Sequence, residues 1–399
     1  MIKKMYELKF QKLISIAVFI VSGFSPLLAH AQSTTWTSEF RFPGTFFPSF
    51  AISSAGKDSK GPIDNNQAYG YLNSSSFAVK ITNLPIGSKV KVEIAIPEIG
   101  ISGELESSTS TSSEPKVIAP RLSFSQDRLT KILQPQSSEI IFRVYINGAL
   151  DREEKKPLRI RAITDAPLKS CKEPSKCQDY STYIAAYVNE NHPAIDNVLR
   201  AALNIPAIPV KNWTGTQGTE QDVMQQVWAI WYLFQRSKVT YSSITTVSDQ
   251  LPNISSQTIR PLSQSLRTAQ ANCIDGTVLF SSILRKIGIE PIIVLIPGHA
   301  FLGFFVDKQQ QHPIFLETTM INNPNNPFYQ KGPTPGGENF ARMLGSDVHM
   351  KQSWGSFIAA INEGGKKYNE AAPNFGKNPG YILVPVIKAR KDGILPLPL

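Results

Sequence analysis

The stretch NCIDGTVLFSSILRKIGIE, residues 272–290, is followed directly by PIIVLIPGHAFLGFFV, residues 291–306. In the first part, apolar side chains recur at spacings of three and four, which predicts an amphipathic helix that Gly288 ends. The second part is an apolar run broken by one Pro-Gly pair, which predicts two buried strands joined by a turn. We therefore expect a helix that packs on a sheet, with Cys273 at or just before the first turn of the helix.

The spacing of apolar side chains divides the rest of the chain into two parts. Between residues 32 and 165, apolar and polar side chains alternate, as in KVKVEIAI at 89–96, and this predicts half-buried antiparallel strands. From residue 179 onward the spacing becomes helical, as in VMQQVWAIWYLF at 223–234. We therefore expect an α+β protein, with an immunoglobulin-like antiparallel β-sandwich at 32–165, a disulfide-closed linker at 166–178 and an α+β domain at 179–399.

The first 31 residues have the features of a secretory signal peptide. Four lysines precede an apolar stretch from Leu13 to Val21, and the small-x-small site Ala29-His30-Ala31 follows. The apolar stretch is shorter than the roughly 20 residues needed to span a bilayer, so we expect cleavage after Ala31 rather than a retained anchor. The mature protein is expected to be exported, periplasmic or secreted, without a membrane span.

The charge surplus narrows the classes of partner. The formal net charge is +10, and the signal segment contributes +3 through four lysines and Glu7, so +7 remains on the mature chain. Because no Lys/Arg block and no alternation of basic and aromatic residues accompanies this surplus, we do not expect nucleic acid as a partner. An anionic cell-envelope component stays open as a partner, although a solvated basic surface is the simpler explanation.

The three cysteines differ in their surroundings. Cys171 and Cys177 flank a short polar segment that contains Pro174, and in an oxidising compartment such a close pair normally forms a disulfide. Cys273 is then left over, although its pairing with either of the others stays open on sequence alone. An exported protein that keeps a free thiol either buries it as a small apolar side chain or uses it chemically.

Partners for a reactive thiol occur in the same region. The backbone N–H groups and the dipole at a helix N-terminus favour the thiolate form of Cys273. His299 and Glu317 are each the one ionisable side chain in the apolar run around them, and a strand hairpin would place them on neighbouring strands. Taken alone, His299 fits a buried core histidine equally well. Together the three residues have the chemistry of a thiol triad, whereas Asp275 is better explained as a helix cap.

The order and context of these residues resemble the transglutaminase-like superfamily of papain-like thiol enzymes, and within it the bacterial exported cysteine peptidases. The resemblance covers roughly residues 224–319 and includes LRKIGIEP before the strand IVLIPGHAF. It implies a transglutaminase-like α+β fold for residues 179–399. It also implies that Cys273 is the nucleophile, His299 the general base and Glu317 the third member, a position usually held by aspartate in that superfamily.

The resemblance leaves the oxyanion-stabilising group open. Besides the Cys273 backbone N–H, the candidates are the Gln270 side chain and the indole of Trp228 or Trp231. No clustered acidic loop suggests the calcium sites of the animal cross-linking enzymes, so we expect neither a metal nor a cofactor.

Two functions are consistent with these features. The first is an exported thiol-dependent acyl-transfer enzyme. It would be a hydrolase, either a thiol protease or an amidase, that cuts a protein or peptide amide through a thioester intermediate. The second is a non-catalytic binding or adhesion protein, built from a β-sandwich beside a transglutaminase-like fold. The complete Cys/His/Glu set favours the enzyme, and hydrolysis is expected over amine transfer because water is the abundant acceptor.

Overall fold

The computed structural model describes residues 34–57, 62–64, 68–70, 74–108, 116–173, 175–242, 251–322, 344 and 347–399. The expected signal peptide lies outside these ranges. Within them the protein is a mixed α+β structure with several sheets. No helix among the described residues is both long and apolar enough to cross a membrane.

Among the described residues the strands form five sheets, and the helices lie mostly in the second half of the chain. The strands are β1 (Thr35–Phe40), β2 (Thr45–Phe46), β3 (Pro62–Asp64), β4 (Ala68–Gly70), β5 (Phe77–Thr82), β6 (Lys89–Ile96), β7 (Ile101–Ser108), β8 (Lys116–Ala119), β9 (Gln136–Ile146), β10 (Ala149–Ile160), β11 (Asp165–Glu173), β12 (Lys176–Asp179), β13 (Thr240–Tyr241), β14 (Ile254–Thr258), β15 (Gln270–Ala271), β16 (Pro291–Ile296), β17 (His299–Phe305), β18 (Pro313–Leu316) and β19 (Ile382–Pro385). The α-helices are α1 (Pro48–Ser54), α2 (Gln126–Thr130), α3 (Pro193–Leu203), α4 (Glu220–Arg236), α5 (Leu262–Thr268), α6 (Cys273–Lys286), α7 (Val348–Ala371) and α8 (Val386–Lys391).

Two five-stranded sheets form the first part of the protein. Their strand orders are β1-β5-β8-β4-β3 and β2-β10-β9-β6-β7. Strand β6 alternates between buried and more exposed residues, as its sequence predicts. Aromatic rings join the two sheets, since Phe142 of β9 lies 5.7 Å from Phe40 and 6.4 Å from Phe77, measured between ring centroids. The sheets therefore pack face to face through a shared aromatic layer.

The prediction of a purely antiparallel arrangement was wrong in detail. Strand β2 pairs with β10 in parallel, and β4 pairs with β8 in parallel. Both are short strands that reach their partner through a long connection, so no hairpin turn imposes an antiparallel direction on them.

The segment 166–178, for which we expected a linker, lies almost entirely in two paired strands. In the ladder of β11 and β12, Cys171 lies opposite Cys177, and the two residues form a disulfide. Strand β11 also pairs with β14, which is far along the chain. This distant partner supplies backbone hydrogen bonds that local sequence patterns do not reveal.

One hydrophobic cluster runs from the first sheets into the second half of the chain. It contains Phe50 and Ile163 as well as Tyr183, Ile274 and Ile293, all of which are buried. The buried core is thus continuous across residues 166–178.

The second half is built around the antiparallel sheet β18-β17-β16-β19. Helix α6 packs on β16 and β17, and α7 packs on β18 and on α4. The apolar face of α4 explains its position, because Val223, Val227, Ile230 and Phe234 are all buried at the predicted helical spacing. This packing directs the N-terminus of α6 toward the end of the β16–β17 hairpin.

Candidate active site

Cys273 is the first residue of α6, where a capping box fixes its backbone. Asn272 Oδ1 accepts a hydrogen bond from Asp275 N at 2.9 Å, and Asp275 Oδ2 accepts one from Asn272 N at 3.3 Å. Asp275 Oδ1 also accepts the Arg260 backbone N–H at 2.8 Å. Burial raises the pKa of Asp275, against the effect of these donors. The capping role predicted for Asp275 is confirmed, and the Cys273 thiol is free and partly exposed.

His299 is the first residue of β17 and lies opposite Ile296 across the β16–β17 hairpin. The turn between them contains Gly298 with φ of +74°, a conformation that glycine adopts without strain. The His299 side chain is 21% exposed. The imidazole is therefore accessible to a ligand from one side while the protein holds the other.

Glu317 directly follows β18 and its side chain is 2% exposed. His299 Nε2 donates to Glu317 Oε2 at 2.6 Å. The other carboxylate oxygen, Oε1, accepts from Thr319 N at 3.0 Å and from Thr319 Oγ1 at 2.6 Å. The last β17–β18 ladder pair is Leu302 with Leu316, so Glu317 lies beyond the ladder and reaches His299 diagonally. The longer side chain of glutamate, compared with aspartate, suits this diagonal contact.

Cys273 and Glu317 both act on the proton affinity of His299. Burial, the largest influence, lowers the pKa of His299. Hydrogen bonds and charge interactions with Cys273 and Glu317 outweigh it and raise that pKa to about 9. Because Nε2 is paired with Glu317, Nδ1 is the ring nitrogen left for the Cys273 thiol. Burial also opposes ionisation of Glu317, but the His299 and Thr319 contacts hold its pKa below the ordinary value.

Two residues that sequence analysis missed lie beside this group. Lys367 of α7 places Nζ 3.4 Å from Glu317 Oε2, so this carboxylate oxygen contacts two cationic groups when His299 is protonated. Tyr241 of β13 pairs with Ala271, two residues before Cys273. Burial raises the pKa of Tyr241, and charge interactions with Cys273 and Glu317 raise it further. Neither residue belongs to a motif, so no sequence pattern pointed to them.

The sequence candidates for the oxyanion partner lie elsewhere. Trp228 and Trp231 are fully buried, and their indole N–H groups donate to Ser353 and Ser356 at 3.1 Å. The side chain of Gln270 is exposed and does not line the cleft that contains the thiol. The indoles are therefore wrong as oxyanion donors, and Gln270 has no supporting contact.

A cleft of about 560 Å³ opens at Cys273 and His299. Its other wall is formed by the three-stranded sheet β12-β11-β14, which contributes Leu168, Gln178 and Gln257. The disulfide-bonded hairpin thus lies across the cleft from the thiol. A substrate amide that entered the cleft would have the thiol and the imidazole on the same side.

This arrangement provides a nucleophile, a proton-transfer group and an orienting carboxylate in direct succession. Across the part of the chain that the structure describes, we find no group of three or more His, Cys, Asp or Glu side chains arranged to hold a metal ion. A scan against models of known protein families matched no part of the chain, and a search of curated proteins found no similar sequence.

Proposed function

We propose that this protein is an exported thiol-dependent acyl-transfer enzyme that hydrolyses protein or peptide amides. The observation that carries the proposal is the chain of contacts from Cys273 at a helix N-terminus through the His299 imidazole to the buried Glu317 carboxylate. A buried carboxylate that accepts two hydrogen bonds from Thr319 and forms an ion pair with Lys367, in addition to its contact with His299, is well suited to orient an imidazole.

In the acylation step, Cys273 Sγ attacks the amide carbonyl carbon and a C–S bond forms. The thiol proton has moved to His299 Nδ1, which then gives it to the amide nitrogen as the C–N bond breaks. The amine leaves and the acyl group remains on Cys273 as a thioester. Glu317 stabilises the imidazolium throughout this step without taking up a proton.

In the deacylation step, water attacks the thioester while His299 Nδ1 accepts a proton from it. The C–S bond breaks, the acid leaves, and the Cys273 thiolate and the His299 imidazolium are restored. The negative oxygen formed in each step needs donors. The backbone N–H groups of Cys273 and Ile274 at the start of α6 can supply them, because they have no carbonyl partner within the helix, whereas the Asp275 N–H is held by the capping box.

The sequence resemblance to the transglutaminase-like superfamily supports the proposed thiol-dependent amide hydrolysis. Our proposal also includes the domain organisation: an immunoglobulin-like β-sandwich at residues 32–165 and a transglutaminase-like domain at 179–399. We further propose that residues 1–31 are removed on export. The disulfide between Cys171 and Cys177 supports an oxidising compartment.

Cleavage of a denatured protein such as β-casein tests this function, with new amino groups measured as the readout. We expect wild-type protein to release them and His299→Ala to release none. His312→Ala is the matched control, because His312 is an exposed histidine paired with Glu220. Binding of casein without cleavage by wild-type protein would favour the non-catalytic binding protein instead.

A further inference from the structure

The walls of the cleft beside Cys273 contain few charged groups. The described lining contains one lysine, Lys169, and one aspartate, Asp179. These two residues lie opposite each other in the β11–β12 ladder. Their charges are of opposite sign and neighbouring, so the wall away from Cys273 and His299 offers no net charge for an acidic or a basic substrate segment.

Branched aliphatic residues are the largest chemical class in the remaining lining. The branched aliphatic side chains come from both walls of the cleft and from its floor: Leu168, Ile184, Ile274, Leu295, Ile296 and Ile382. Of these, Leu168, Leu295, Ile296 and Ile382 are partly exposed, so they present apolar surface to whatever enters. An apolar side chain that covers this surface is removed from water together with it.

The lining also argues for the chemical class of the substrate. Among the residues that the structure describes, it includes no Phe, Tyr or Trp, the flat side chains on which a sugar ring packs. It does include the polar side chains of Gln178, Ser255 and Gln257, along strands whose spacing matches an extended polypeptide. Polar groups at strand spacing among aliphatic ones suit a peptide, whose backbone is polar and whose side chains vary.

We propose that the cleft selects polypeptides with branched aliphatic side chains next to the scissile amide. This proposal rests on the proposed amide hydrolysis and names its substrate class. Leu168 and Ile382, from opposite walls, are the residues that determine the selectivity. Replacing one aliphatic contact in such a cleft changes relative kcat/KM values by about tenfold to a hundredfold.

The test uses the full chain and a library of tryptic peptides as substrate, with the cut sites mapped by mass spectrometry. A pair of peptides that differ in one residue beside the cut, Leu or Asn, then gives kcat/KM values. We expect wild-type protein to prefer Leu by about tenfold or more. In Leu168→Ser and Ile382→Ser the preference falls by most of that factor, while Ile86→Ser, at a turn residue that is 67% exposed, keeps it.

Iodoacetamide labelling of Cys273 in each variant shows whether the site itself is intact. Cleavage without enrichment of aliphatic residues, or a preference that survives both cleft variants with labelling unchanged, overturns the proposal while leaving amide hydrolysis in place. Release of lauric acid from N-lauroyl glycine, with no cleavage of any peptide, would show that the substrate is a lipid amide and not a peptide. Absence of turnover on every amide counts against the proposed function itself and, with it, this selectivity.

Discussion

Lys367 should lower the pKa of His299, and removing its charge should raise that pKa further. Lys367 Nζ lies 3.4 Å from Glu317 Oε2, and His299 Nε2 lies 2.6 Å from the same oxygen. The two cationic nitrogens are therefore within about 6 Å of each other, where an effective dielectric constant of 20 gives a repulsion of roughly 3 kcal/mol, or about two pKa units.

Solvent reduces this repulsion, since the Lys367 side chain is 29% exposed. We therefore expect Lys367→Met to raise the pKa of His299 by about half a unit to one unit. The sign follows because removing a neighbouring positive charge favours the imidazolium. The loss of activity at alkaline pH, which we assign to deprotonation of His299 at about 9, then moves to higher pH in the variant.

The assay is an NMR titration of protein with ¹³C-labelled histidine, in which His299→Gln identifies the signal of His299. Lys366→Met is the matched control, because Lys366 is an exposed neighbour on the same helix and has no ion pair with Glu317 among the described residues. A midpoint in Lys367→Met that equals the wild-type value, or lies below it, would refute the reasoning. So would an equal rise in Lys366→Met.

Three further predictions concern catalysis and stability. Cys273→Ala and His299→Ala should each abolish amide turnover, and the double variant should lose little more, because members of one catalytic unit are not additive; steady-state rates on one peptide measure this. Arg161→Met should lower the free energy of unfolding by about 3–5 kcal/mol in urea titrations, because it removes the ion-pair partner of the buried Asp165 carboxyl group. Arg143→Met removes one member of a partly exposed ion pair and should lower it by under about 1 kcal/mol. Asp275→Ala should cost about 1–2 kcal/mol by the same measurement, because it opens the capping box and orphans the Arg260 N–H.

Local patterns were sufficient for the elements that approach the thiol. The spacing of apolar side chains predicted helix α6, and the Pro-Gly pair predicted the hairpin turn before His299. These features depend on residues a few positions apart, so the sequence displays them directly. The capping box is of the same kind, because Asn272 and Asp275 are three residues apart.

Contacts between distant segments could not be predicted in this way. The pairing of β11 with β14 joins strands that are about 90 residues apart, so the polar segment around Cys171 was expected to be a linker. Lys367 contacts Glu317 only because α7 packs along β18, and Tyr241 is near Cys273 only because β13 pairs with β15. The prediction that Trp228 or Trp231 donates to the oxyanion was wrong because both residues lie on the buried face of α4.

The reactivity of Cys273 with iodoacetamide, measured across pH on the full chain with the labelled residue mapped, tests the central claim most directly. The account predicts that at about pH 6 Cys273 is labelled much faster than free cysteine, whose thiol ionises near 8.5, because the His299 imidazolium and the helix N-terminus favour the thiolate. It also predicts that His299→Gln removes this advantage while Glu317→Gln reduces it. Labelling that begins only near pH 8.5 in wild-type protein, and is the same in His299→Gln, would contradict the claim that Cys273 and His299 form a catalytic pair.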